Sequence, residues 1–232
     1  IQKNFDQIVD LMPYSHEDAA EIISTHDIDI LVDLKGFTEH SRPQILAYRP
    51  GRIQVNYLGY PGTTGYQALD YIIGDDFVFG PDSSEDFTEA QVVLPCCYQP
   101  NNPNRLVAAP FSRADQGLPE NVFIFSCFNH HWKMNEEIFY AWKAILDACP
   151  NSVLWVMDAV SRTNTKTKLE EIGIDSNRIF VAPLLPIHQH LSRLRLANLF
   201  LDTFPCGAHT TASDSIFGGV PVLTIMGRAF HS

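Results

Sequence analysis

Leu199-Phe200-Leu201-Asp202-Thr203-Phe204-Pro205-Cys206-Gly207-Ala208-His209-Thr210-Thr211-Ala212-Ser213-Asp214 joins an apolar run to a hydroxyl-rich one through a turn holding Pro205 and Gly207. Residues 199–202 have the length and apolarity of a buried strand, and 210–217 read as the helix it feeds. The first backbone N–H groups of such a helix have no partner within it, and its dipole favours negative charge there. The start at His209-Thr210-Thr211 is therefore an expected anion site, with Thr210 and Thr211 adding hydroxyl donors. Asp214, one turn on, is spaced to accept hydrogen bonds from ribose hydroxyls. Plain capping of a structural helix is the competing reading of the same residues.

The rhythm extends in both directions. Strands are expected at 122–127, 153–157, 179–182, 199–202 and 221–225, with helices at 135–148, 166–172, 187–196 and 210–217. Five strands alternating with four helices call for an α/β lobe, a parallel sheet with helices on both faces. Nearer the N-terminus, Ser15-His16-Glu17-Asp18 has capping-box form, and Ala19, Ala20, Ile22 and Ile23 follow as a helix's apolar face. A mostly buried strand is expected over 28–34, a short helix over 43–48, and strands over 53–58, 70–73 and 91–94. Residues 98–117 show no sustained periodicity, so a boundary is expected there. The division is 1–100 as part of an N-terminal lobe, 101–117 as a linker, and 118–232 as a truncated C-terminal lobe.

At 232 residues and 45% hydrophobic, the chain fills one large core or two modest ones. No apolar run approaches the ~20 residues of a membrane span. Ile1-Gln2-Lys3-Asn4-Phe5 has neither an initiator Met nor a signal-peptide pattern, and the chain stops just after a strand, so a soluble piece of a longer protein is expected. Cys96, Cys97, Cys127, Cys149 and Cys206 form no C-x-x-C pair and read as reduced cysteines of a cytoplasmic protein. The net charge of -11 is concentrated in residues 1–116, with 7 Lys and Arg against 17 Asp and Glu, while the rest has 9 against 10. No basic nucleic-acid surface is in view.

Ligands of open α/β sheets bind outside the carboxyl ends of the strands. Two further loops are expected at that edge. Phe128-Asn129-His130-His131-Trp132-Lys133 follows the first strand of the second lobe, and its Lys133 is spaced to meet a diphosphate. Pro186-Ile187-His188-Gln189-His190-Leu191-Ser192-Arg193 follows the third strand, with His190 and Arg193 one turn apart. Each residue alone reads as a surface residue; three loops converging on one edge favour a site. Neither G-x-G-x-x-G nor G-x-x-x-x-G-K-[ST] occurs. Asp75-Asp76 reads as a solvated acidic pair, and His130-His131 and His188-x-His190 lack the further ligands a metal site needs.

The chain resembles the O-linked N-acetylglucosamine transferases and their bacterial relatives, glycosyltransferase family 41. The resemblance rests on Gly117-Leu118-Pro119-Glu120, Phe128-Asn129 with Lys133, Pro150-Asn151-Ser152-Val153-Leu154-Trp155, Asn177-Arg178-Ile179, and Leu201-Asp202-Thr203 through His209-Thr210-Thr211 to Asp214. In the first lobe it rests on Gly36-Phe37-Thr38, Arg49-Pro50, Ile53-Gln54, the loop Leu58-Gly59-Tyr60-Pro61-Gly62-Thr63-Thr64-Gly65, and Asp70-Tyr71-Ile72-Ile73. These stretches run in order over nearly the whole chain.

The resemblance implies a GT-B pair of Rossmann-like lobes and an inverting transfer of N-acetylglucosamine from UDP-GlcNAc, or a related UDP-sugar, to protein Ser or Thr. Lys133 would stabilise the departing UDP, and His209, Thr210 and Thr211 would cradle phosphate beside His130. Asp214 would hold ribose, while His190, Arg193 and the backbone near Leu185 would surround uridine. Gly59 and Pro61 would lie near the sugar. No metal or cofactor is implied, nor nucleic acid or membrane. The protein acceptor would be presented by an upstream TPR array, in the cytoplasm and, in a eukaryote, the nucleus. The family has Gln at His130, Lys at Ile187 and a His where Gln7 aligns. Its other candidate catalytic His would lie upstream, so no general base is named, and the isolated piece is expected to be inactive. The alternatives are another GT-B UDP-sugar enzyme, such as a small-molecule glycosyltransferase or an epimerase, and a non-catalytic UDP-sugar-binding module.

Overall fold

Ser15 starts the first helix as its spacing predicts. In the computed structural model, which describes residues 4–81, 83–157, 165–227 and 229–230, the Ser15 hydroxyl accepts the Asp18 N–H at 3.1 Å and opens α1 (His16–Ser24). Ala19 and Ala20 are buried with Ile45 of α2 (Gln44–Ala47). The strands β1 (Ile30–Asp33), β2 (Ile53–Tyr57), β3 (Tyr71–Asp75) and β4 (Ala90–Leu94) form a parallel sheet in the order β1-β2-β3-β4. These elements belong to the first of two compact units, Ile1–Pro100.

Two expectations for this unit need correction. The stretch expected as a mostly buried strand leaves Ile30, Val32 and Leu34 exposed at 58%, 41% and 57%. Successive side chains of a strand point to opposite faces of the sheet, and the face of β1 that carries Ile30 and Val32 is left uncovered. Asp75, expected as half of a solvated pair, is buried: its carboxylate accepts the N–H groups of Phe77 (3.0 Å), Val78 (3.0 Å) and Tyr98 (2.7 Å). It is a turn-forming group, because a buried carboxylate needs such donors.

The second unit, Asn101–Ser232, carries the predicted alternation. Its strands are β5 (Phe123–Cys127), β6 (Ser152–Met157), β7 (Ile179–Ala182), β8 (Leu199–Leu201) and β9 (Val222–Leu223). Its helices are α3 (Glu136–Ala148), α4 (Thr165–Glu171), α5 (Ile187–Leu194) and α6 (Thr210–Phe217). All strand pairs are parallel, and the order is β7-β6-β5-β8-β9. The chain moves outward from β5 to β7, then returns to the other side of β5 with β8. Crossovers leave in opposite directions from β5 and β8, so a crevice opens at their carboxyl ends. A continuous apolar core underlies it, including Trp142, Leu154, Trp155 and Phe200.

Residues 101–117 lie in this second unit and are fastened to it. Ala108 N–H donates to the His188 carbonyl at 2.9 Å, and the Ser192 hydroxyl to the Ala109 carbonyl at 2.8 Å. The Arg113 guanidinium donates to the carbonyls of Glu120 (2.5 Å) and Val122 (2.9 Å).

Candidate functional site at the β5–β8 crevice

β5 runs into Phe128-Asn129 and β8 into Asp202-Thr203, so the two loops meet at the reversal of strand order. Asn129 is buried and joins them: its Nδ2 donates to Asp202 Oδ1 and to Thr203 Oγ1, each at 2.8 Å. Its Oδ1 accepts a very short hydrogen bond from the Thr211 hydroxyl at the start of α6. Asp202 Oδ1 also accepts the N–H groups of Thr203 and Ala208, each at 2.7 Å, while Oδ2 accepts the Thr224 hydroxyl at 2.8 Å. This network holds the loop before α6 against both strand ends and aims the helix start at the crevice. Satisfied buried polar groups of this kind fix one geometry.

The His209 side chain does not cap α6, which weighs against the capping reading of this helix start. Thr210 is exposed at the helix start, whereas the Thr211 hydroxyl has spent its single proton on Asn129. Lys133 ends a short 3-10 turn (His131–Lys133) preceded by His130, and its Nζ donates to the Gly207 carbonyl at 2.6 Å. That contact puts an ammonium beside the loop leading to the helix start. Burial of the His130 ring pushes its pKa below the ordinary value, and the nearby charges of His131 and Lys133 add to this, so it is neutral at pH 7.

α5 supplies a cation from beneath. Arg193 is wholly buried, its guanidinium 5.3 Å from the Phe128 ring centroid and 5.8 Å from that of Trp155. Its Nε donates to His190 Nδ1 at 3.1 Å and its Nη1 to the Pro183 carbonyl at 2.6 Å, while Nη2 has no hydrogen-bond partner among the described residues. Burial lowers the Arg193 pKa to about 10, leaving it charged. It also lowers His190 to about 4, helped by the charges of Arg193 and Arg105, so His190 is neutral. An unpaired charged donor inside protein costs roughly 1–3 kcal/mol or more, which a ligand carbonyl would offset. Leu185 lies half-buried in the Pro183–Pro186 loop whose carbonyl Arg193 holds.

Asp214 is nearly buried, and its Oδ1 is held at 2.5 Å by Nη1 of Arg105. The second unit thus gathers Lys133, His130, His209, Thr210, Thr211, His190, Arg193 and Asp214 on loops and helices at one sheet edge. Asn129, Asp202, Thr203 and Arg105 were not among the residues expected in the site. Their hydrogen bonds span 73 to 109 residues of sequence. The one sequence clue is that Arg105 is the only charged residue between Tyr98 and Pro110.

Gly59 and Pro61 belong to the first unit. A Cβ at Gly59 would lie 1.8 Å from the Leu34 carbonyl oxygen, so only glycine fits that close approach. Their loop is tied down by Asn56 Nδ2 to the Gly62 carbonyl (3.1 Å). It is also tied down by Thr63 and Thr64, whose hydroxyls donate to buried Glu89 at 2.5 and 2.8 Å. Gln7, where the resemblance places a histidine, instead meets His26 Nε2 at 3.1 Å.

The family model described as Glycosyl transferase family 41 matches residues 1–99 and 99–232. An Arabidopsis thaliana protein named "Probable UDP-N-acetylglucosamine--peptide N-acetylglucosaminyltransferase SEC" is 37% identical over 233 residues, covering 97% of this chain and 24% of that protein. A Hordeum vulgare protein of the same description, SPINDLY, is 33% identical over 228 residues, covering 94% of this chain and 24% of its own length. The chain therefore spans about a quarter of these relatives. A solved structure of a Thermobaculum terrenum O-GlcNAc transferase mutant superposes with a TM-score of 0.88 at 29% identity, over 99% of this chain and 44% of that one. Two parallel sheets, a crevice at a strand-order reversal and a family match across both units agree: this chain belongs to glycosyl transferase family 41.

Proposed function

We propose that this chain is the donor-handling part of an inverting glycosyltransferase that moves N-acetylglucosamine from UDP-GlcNAc to protein Ser or Thr. The observation that carries the reading is the convergence at the β5–β8 crevice. There the Lys133 ammonium, the α6 start and the buried Arg193 with its unpaired Nη2 share one sheet edge. The acceptor hydroxyl attacks the anomeric carbon from the face opposite the diphosphate and gives up its proton to solvent. The bond from that carbon to the phosphate oxygen breaks, and UDP departs with the electron pair. Charge then develops on the diphosphate, where Lys133 and the α6 N–H groups meet it. No metal is part of this reading. Asp214 accepts from ribose, and Arg193 and neutral His190 take the uracil edge near Leu185. Gly59 and Pro61 contribute on the sugar side, the acceptor reaches the site through an upstream TPR array, and the reaction is cytoplasmic.

A second reading, a module that binds a UDP-sugar without turnover, is favoured by His130 and by exposed Ile187, which replace two polar donors of the family pattern. Lys133→Ala in the full-length protein tests both. The proposal expects transfer from UDP-GlcNAc to fall by about 10² to 10³, the usual cost of removing one group that stabilises developing charge. UDP affinity should change less than tenfold. Wild-type protein that binds UDP yet transfers no sugar would favour the binding module, and unchanged transfer by the variant would remove Lys133 from the mechanism.

A further inference from the structure

Leu106 is 84% exposed, whereas the Arg105 side chain beside it is only 20% exposed. Water-driven partition alone would turn the leucine inward and the arginine outward. What reverses it is Asp214, whose side chain is 7% exposed and whose single ion pair among the described residues is with Arg105. A carboxylate this buried requires a partner, and removing the partner leaves the charge uncompensated. The segment carrying Arg105 is pinned on α5 by Ala108 N–H to the His188 carbonyl and by the Ser192 hydroxyl to the Ala109 carbonyl. The guanidinium also lies 5.4 Å from the Phe217 ring centroid, which supports it from below the ion pair. Arg105 is thus delivered to α6 by fixed contacts with α5.

We infer that Arg105 is a positioning residue of the nucleotide site, gripping Oδ1 of Asp214 so that Oδ2 is the acceptor for a ribose hydroxyl. The inference rests on the proposed role of Asp214 toward ribose. A carboxylate has about four acceptor sites, and Arg105 uses one oxygen through one nitrogen. The Arg105 charge is also among those that lower the pKa of His190. Sequence reading assigns 101–117 to a linker and misses this, because the contact links residues 109 positions apart.

Calorimetric titration of the full-length protein with UDP and with 2′,3′-dideoxy-UDP tests the inference. Wild type should bind UDP at least tenfold more tightly than the dideoxy analogue. Arg105→Gln should weaken UDP about tenfold, leave the analogue within twofold, and raise KM for the UDP-sugar with kcat within threefold. Arg105→Lys, which keeps the charge but not the planar fork, should fall between the two and guards against a folding defect in the glutamine variant. Equal weakening of both ligands, or no change in either, overturns the inference. Tighter UDP binding by Arg105→Gln also overturns it, since the arginine would then be covering the ribose seat. Asp214→Asn separates the two levels: if it abolishes discrimination while Arg105→Gln retains it, Asp214 keeps its role and Arg105 loses its own. A wild type that does not distinguish the two nucleotides removes both.

Discussion

In the second unit β6 is buried along almost its whole length; in the first unit β1 shows every second side chain to solvent. Both are parallel strands in parallel sheets, so pairing does not explain the contrast. Cover does. Among the described residues four α-helices accompany the five strands of the second unit, and Leu154, Trp155 and Val156 sit in one continuous core with Trp142 of α3. The four strands of the first unit are accompanied by α1 and the four-residue α2, whose own cluster is Ala19, Ala20 and Ile45. Burial of apolar area is what stabilises a sheet, at roughly 25 cal/mol per Å², and backbone pairing adds less. Beside its buried Val55, Leu69, Ile72 and Phe79, the first unit has polar anchors: buried Gln54, whose Nε2 donates to the Leu46 and Ala68 carbonyls, buried Glu89, which accepts from Thr63 and Thr64, and the more exposed pair of Arg49 with both oxygens of Asp70.

The contrast breaks or holds most sharply at Phe200. Phe200→Ala removes a side chain with no exposure from the centre of the second core, and should cost about 3–5 kcal/mol in urea unfolding followed by tryptophan emission. All three tryptophans, Trp132, Trp142 and Trp155, lie in that unit and report on it. A cost near zero would mean that the second core is not what holds it.

Acid should separate the units next. His190 is held near 4 in the fold against an ordinary value of 6.5, so below pH 6.5 the unfolded chain takes up a proton that the folded unit refuses. Stability of the second unit should fall as pH drops from 6.5 toward 4, by roughly 3 kcal/mol at most. Burial of Glu89 would raise its pKa, but the hydrogen bonds from Thr63 and Thr64 outweigh it and the net shift is downward. Its contribution is therefore complete above the ordinary glutamate value of 4.5 and is lost only as pH falls below that. Hydrogen exchange read unit by unit should show the second unit loosening at a higher pH than the first. Simultaneous loosening below pH 4.5 would erase the distinction.

The smallest effect is expected at the exposed edge. Val32→Thr on β1 should shift stability by no more than about 0.5 kcal/mol, read by hydrogen exchange of the first unit, as substitutions away from packed or polar anchors do. A loss of 2 kcal/mol or more would show that this face is covered in the protein under assay.

Much of this was legible in the sequence. The alternation of apolar runs with helical periodicity predicted the α/β character of the second unit, with its five strands and four α-helices each within a few residues. Ser15 predicted its cap, and the 199–214 stretch predicted a strand, a turn and a helix start suited to an anion. The placement of Lys133, His190 and Arg193 after the carboxyl ends of β5 and β7 followed from the same alternation. These signals are local: periodicity and capping are written within ten or twenty residues. Only the tertiary structure decided the reversal between β5 and β8, and with it the crevice in which Asn129 joins Asp202, Thr203 and Thr211. It also decided that β1 is an open edge, that the Thr211 hydroxyl turns inward, and that Arg105 reaches Asp214. Each depends on the path by which distant segments meet, and a hydrogen bond across 73 or 109 residues leaves no periodic trace in the chain that makes it.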